Sequence, residues 1–168
     1  MELEAILGID QLRYLAQDET RIGRKTETKR VITSIGFKPK AKVQWPREAF
    51  WVYGVVEPLA GWQWTREYSK LNSENFQAFL NDLSAQLGST VAVMQLDRAP
   101  AHRAQAIEWP ENIIPIFQPA HCPELNPIER VWQFLKGLWK GENFPSLDAL
   151  RQLSLIHISE PTRQEAIS

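Results

Sequence analysis

T-V-A-V-M-Q-L-D, residues 90–97, decides how this chain folds. Seven residues without a charge, rich in β-branched side chains and ending on an acid, read as a strand buried on both faces, as strands of parallel sheets are. Gly88 closes the segment before it, in which Phe76, Phe79, Leu80, Leu83 and Leu87 recur at helical spacing, so a helix over 74–87 capped by Asn72 or Ser73 leads into the strand. Downstream, a short helix is expected over about 102–109 and a strand over I-I-P-I-F (113–117). A further helix from about 127 to 140 carries Ile128, Val131, Trp132, Leu135, Leu138 and Trp139 as a buried stripe, with Pro127 suited to its first turn.

Upstream, residues 11–17 read as a short strand ending at Asp18, followed by a polar turn. V-I-T-S-I-G-F (31–37) and A-F-W-V-Y-G-V-V (49–56) read as two more strands, and W-Q-W-T-R-E-Y (62–68) as an extension of the last hairpin. The order is three strands, helix, strand, helix, strand, helix, with no internal repeat.

The 168 residues suffice for one domain that buries roughly 70% of its unfolded surface. No apolar run approaches the ~20 residues of a membrane helix, so no membrane role is expected. The single cysteine, Cys122, excludes an intramolecular disulfide, and the N-terminus lacks the pattern of a signal peptide; both point to a reducing cytoplasm. Net charge is only −1, yet nine basic residues (Arg21, Arg24, Lys25, Lys29, Arg30, Lys38, Lys40, Lys42, Arg47) lie between positions 21 and 47 against Glu27 alone. Such a strip can meet phosphates, although a charge run is more often a solvated face.

Asp18 and Asp97 each follow an expected strand, and Glu129 stands near the start of a helix among apolar residues. A carboxylate aimed at a core needs a positive partner. Taken singly, each acid reads as a turn, cap or helix-dipole residue. Taken together, three carboxylates on separate elements form a donor set for a hard divalent cation such as Mg²⁺. Glu19 and Glu124 read as solvated acids, with Glu19 also suited to support the site from behind. His121 and Cys122 lack the further ligands that a zinc site needs.

The segments Q-D-E-T-R-I-G (17–23), M-Q-L-D-R-A-P-A-H (94–102) and F-Q-P-A-H-C-P-E-L-N-P-I-E-R-V-W (117–132), in this order and spacing, resemble the catalytic core of bacterial insertion-sequence transposases of the mariner-related superfamily, the DDE superfamily endonucleases. The resemblance covers residues about 10–152. It implies an α/β, RNase H-like fold: a mixed five-stranded sheet, three antiparallel strands then two parallel, with helices on both faces. It also implies a metal-binding catalytic triad of Asp18, Asp97 and Glu129, holding two Mg²⁺ ions (Mn²⁺ as substitute) for DNA cleavage and strand transfer in DNA transposition. The implied partners are element-end and target DNA, a homodimer or higher assembly on that DNA, and a separate helix-turn-helix polypeptide, all in a bacterial cytoplasm at the nucleoid. His102 matches a histidine of the family and would touch phosphate or shape the metal loop, while as a lone histidine it reads equally as a cap of the following helix; Asn126 and Pro127 would aim Glu129. Arg24 and Lys25 are further candidates for DNA contact. Arg98 departs from the family, where asparagine is common. Residues 1–152 are therefore read as the catalytic domain and 153–168 as a non-native or disordered tail. An RNase H-like nuclease of another pathway, or an inactive remnant that only binds DNA, would fit the same residues.

Overall fold

A computed structural model describes residues 12–27, 30–102, 106–119 and 122–159. Five strands, β1 (Leu12–Gly23), β2 (Ala49–Glu57), β3 (Trp62–Tyr68), β4 (Val91–Leu96) and β5 (Ile113–Phe117), form one sheet in the order β3-β2-β1-β4-β5. Among the described residues three α-helices accompany them, α1 (Ser73–Leu87), α2 (Ile128–Leu138) and α3 (Leu147–Ser159), with a 3-10 turn at Pro123–Leu125. β2 and β3 pair antiparallel, while β1 pairs with β4, and β4 with β5, in parallel. The Arg13–Glu57 ion pair at one end and the Arg24 N–H to Glu48 carbonyl bond at the other run β1 and β2 in opposite directions. The mixed sheet expected from the resemblance is the one observed.

Two compact units divide the chain, residues 1–20 with 51–131 and residues 21–50 with 132–168. In the first, α1 begins at Asn72, whose side chain accepts the Asn75 N–H, and ends at Gly88 with φ of 60°. Its Phe76, Phe79, Leu80, Leu83 and Leu87 pack against Leu15, Tyr53, Val55, Ala92, Met94 and Leu96. Burying such a side chain contributes about 1.5–3 kcal/mol, so this face carries much of the unit's stability. The alternate residues Ala16, Val52 and Gly54 are also buried, so β1 and β2 are covered on both faces. β4 differs from expectation: one face is fully buried and the other, with Val91, Val93 and Gln95, only partly. Pro115 interrupts no ladder because β5 is the sheet edge.

In the second unit, the Arg24 guanidinium donates to Glu48 and to the carbonyls of Phe144 and Pro145, and Asn143 donates to the Lys42 carbonyl. Trp132, Leu135, Trp139 and Leu150 are buried, and the Arg151 guanidinium lies 5.1 Å from the Phe50 ring centroid.

Three local expectations fail for physical reasons. Residues 31–37 form no strand: Ser34 to Phe37 close a turn with Gly36 at φ of 85°, and Ile32 and Ile35 stay exposed. The third antiparallel strand is β3, entered through a turn in which Gly61, at φ of 68°, donates to the Glu57 carbonyl. The helix over 102–109 is absent from the described residues 106–109, because the Gln77 side-chain amide takes both the N–H and the carbonyl of Glu108. Residues 103–105 lie outside the described residues. β1 runs on through Asp18 to Gly23 instead of ending at the acid. Residues 153–159 belong to α3, and residues 160–168 lie outside the described residues.

Candidate active site

Asp18 and Asp97 meet where β1 and β4 run side by side. Ala16 is opposite Gln95, so the same register continued by two residues sets Asp18 beside Asp97. Side chains alternate across a strand, which places Asp18 on the face of Tyr14 and Ala16, and Glu19 on the face of Leu15 and α1. Tyr14 donates to Gln95, whose amide reaches Gln118 and the Leu125 carbonyl. The loop after β5 is thereby drawn over Asp18's face of the sheet.

Asn126 fixes the entry to α2. Its buried side chain donates to the Gln17 carbonyl at 2.9 Å, its side-chain oxygen faces the Ile128 N–H, and its carbonyl accepts the Glu129 N–H. The strand residue next to Asp18 and the helix turn bearing Glu129 are thus tied through one asparagine. Pro127 precedes them in the half-buried turn.

Asp97 opens a tight turn in which its Oδ1 accepts the Ala99 N–H and the His102 N–H bonds the Ala99 carbonyl. The His102 ring is fully buried, with its centroid 4.3 Å from that of Phe76. Its Nε2 lies 2.8 Å from Glu19 Oε1 and its Nδ1 2.8 Å from Asp97 Oδ1. Burial opposes charge on the imidazole, but the hydrogen bonds to Asp97 and Glu19 and the two negative charges outweigh it, pushing its pKa up to about 10. Reciprocally, the contact with His102 holds Asp97 below the usual carboxylate range, while nearly half of the Asp97 side chain stays exposed.

Asp18 behaves in the opposite way. Burial raises its pKa, the charges of Glu19, Glu129 and Asp97 raise it further against a backbone hydrogen bond, and the result is about 7. Glu129 and Asp97 therefore both act electrostatically on Asp18. Among the described residues, no three His, Cys, Asp or Glu side chains stand at the spacing that holds a metal ion. The fit of Asp18, Asp97 and Glu129 to a divalent cation is one of donor type and charge: all-oxygen ligands, with an acid whose ionisation is opposed first by its burial and then by the charges of Glu19, Glu129 and Asp97.

Glu19 is the residue that sequence reasoning undervalued. Its side chain is only 5% exposed and is held by Gln17 and His102, so it is no solvated acid. The signal was the strand alternation that puts Glu19 on the core face, hidden by ending β1 at Asp18.

A family model described as DDE superfamily endonuclease matches residues 13–151. The chain belongs to that family. An uncharacterized protein, y4pE/y4sA of Sinorhizobium fredii (strain NBRC 101917 / NGR234), is 32% identical over 90 residues, 53% of this chain and 67% of the relative. Among solved structures, the chain superposes on the Mos1 transposase paired-end complex with left transposon end (TM-score 0.67, 15% identity) and on a pre-cleavage Mos1 transpososome (TM-score 0.68, 15% identity), covering 88% of this chain and 48% of the Mos1 chain in each. The Mos1 mariner paired end complex with Mn gives a TM-score of 0.66 at 16% identity. At such identity the likeness shows the fold, RNase H-like, and this DDE superfamily chain spans about half the length of the Mos1 chains.

The remaining sequence candidates fall elsewhere. Arg24 is engaged by Glu48, Phe144 and Pro145, which gives it a role inside the second unit. Lys25 is exposed, with its Nζ 4.7 Å from the Trp45 ring centroid. Arg98 is exposed beside Asp97, Glu124 is exposed, and Cys122 is half-buried; His121 lies outside the described residues. Among the described residues, no helix is long and apolar enough to cross a membrane.

Proposed function

We propose that this chain is the catalytic domain of a transposase that cuts DNA phosphodiesters and joins the freed 3′-hydroxyl to target DNA, with Asp18, Asp97 and Glu129 holding Mg²⁺, or Mn²⁺ in its place. The observation that carries the reading is Asp18 itself, a buried acid whose pKa of about 7 reflects burial and the charges of Glu19, Glu129 and Asp97. Such a cluster is costly without a cation and favourable with one. A pair of bound divalent ions would activate the attacking oxygen and stabilise the leaving one in an in-line displacement.

The chain's own groups do the rest. Asp97 is fastened by Oδ1 to Ala99 and His102, and Oδ2 would be its oxygen for a ligand. Glu19 and the His102 imidazolium neutralise one another beneath the site, which keeps the positive ring from competing with a cation for Asp18. Asn126 ties the first turn of α2, which bears Glu129, to the strand residue next to Asp18. Water attack would release the 3′-hydroxyl, and the same carboxylates would serve its attack on a second phosphodiester. Element-end and target DNA are the substrates in this reading; a homodimer on DNA and a helix-turn-helix polypeptide complete the assembly in the bacterial cytoplasm.

A labelled DNA duplex incubated with Mg²⁺ or Mn²⁺ tests the proposal. Metal-dependent nicking by the wild-type chain, reduced at least ~100-fold in a folded Asp97→Ala variant, is expected, as loss of a group that stabilises transition-state charge costs that much. Nicking that persists in Asp97→Ala would place the chemistry elsewhere.

A further inference from the structure

The second unit contains a cleft of about 580 Å³, within the size range of small-ligand sites. Arg21, Lys25 and Lys140 line it, with Glu27, Val43 and Trp45. All three cations are exposed, and among the described residues none of them is ion-paired with a carboxylate. Arg21 is held along β1 by its bond to the Arg47 carbonyl at 3.1 Å. Trp45 is 70% exposed although an ammonium already lies over its ring. An indole left open to water in a concave, positively charged setting has no packing role that explains it. It has the form of a stacking platform beside phosphate-binding groups, the combination used to hold unpaired nucleic acid.

We propose that this cleft binds an unpaired stretch of DNA, one base stacked on Trp45 and the adjoining phosphates met by Arg21, Lys25 and Lys140. The proposal rests on the reading that the chain acts on DNA, and it names the strand state and the residues that receive it. A duplex keeps its base faces stacked on one another and offers the indole none; an unpaired base presents its whole face. Stacking is tolerant of sequence, so the cleft grips any unpaired base and reads none.

The test is fluorescence anisotropy of a labelled oligothymidine and of a duplex of equal length, with the full chain in EDTA. Trp45→Ala is expected to weaken oligothymidine binding about tenfold while Trp45→Phe retains most of it. Lys140→Gln should flatten the dependence of log affinity on log salt by about 0.7. Duplex binding should change less than about twofold in Trp45→Ala, since the contact needs a free base face. Because Trp45 is exposed, circular dichroism and Tm should match the wild type. Trp45→Ala binding oligothymidine as the wild type does, or losing single strand and duplex by the same factor, would overturn the proposal. Loss of metal-dependent nicking alongside intact Trp45-dependent binding would instead overturn the transposase reading and leave the cleft standing.

Discussion

The buried pair of Glu19 and His102, together with the half-exposed Asp97, sets how this site responds to pH. His102 has a folded pKa of about 10 against about 6.5 unfolded, so its contribution is fully present below pH 6.5 and is lost as pH rises through 10. Replacing it with Gln leaves Glu19 buried without its cation. The expected loss is about 3 kcal/mol at pH 7, shrinking toward pH 10, read by urea unfolding at both pH values. Asp18 has the reverse sign. Its pKa is about 7 folded and about 3.8 unfolded, so the folded state binds the extra proton in that window and metal-free stability falls as pH rises from 4 to 7. In EDTA, Asp18→Asn should therefore raise Tm at pH 8 by on the order of a few °C and leave it unchanged at pH 4. Adding Mg²⁺ should raise the Tm of the wild type and not of the variant, which thermal scans with and without the ion would show. Asn126→Ala removes both the bond to the Gln17 carbonyl and the cap on α2; about 1–2 kcal/mol of stability should go, together with most nicking activity.

Elements decided by packing were legible, and those decided by side-chain competition were not. The Phe76 to Leu87 stripe named α1 and its partner face directly, and Phe79→Ala should cost about 3–5 kcal/mol by denaturant unfolding, whereas Phe134→Ala, on the exposed side of α2, should change little. The apolar run at 90–96 gave β4 and hence the parallel half of the sheet. Residues 31–37 misled because β-branched composition measures fitness for a half-buried surface, and no strand pairs with this segment to create one. The segment at 106–109 misled because Gln77, some thirty residues earlier, takes the Glu108 backbone groups that a helix would use. Asp18, Asp97 and Glu129 stood out as acids at element ends, but the partners that hold them did not. The bond from Asn126 to Gln17 and the bridge from His102 to Glu19 join residues far apart in the chain, which periodicity cannot show.

Over the whole molecule, net charge is a poor guide to partner. The chain carries −1 overall, yet Glu19, Asp97 and Glu129 act together on Asp18 while nine bases stand between positions 21 and 47, two local fields of opposite sign. An enzyme that holds cations against a polyanion needs both. DNA affinity should accordingly fall steeply with salt in spite of the acidic balance, and titration at two ionic strengths would measure it. In the proposed function, Asp18, Asp97 and Glu129 form one divalent-cation site. Calorimetric titration of Mn²⁺ at pH 7, repeated in buffers of different ionisation enthalpy, tests it most directly. Saturable binding is expected, accompanied by release of about half a proton from Asp18, with binding weakened in Asp97→Asn and Glu129→Gln and proton release abolished in Asp18→Asn. Equal Mn²⁺ affinity in all four proteins, or binding without proton release in the wild type, would contradict it.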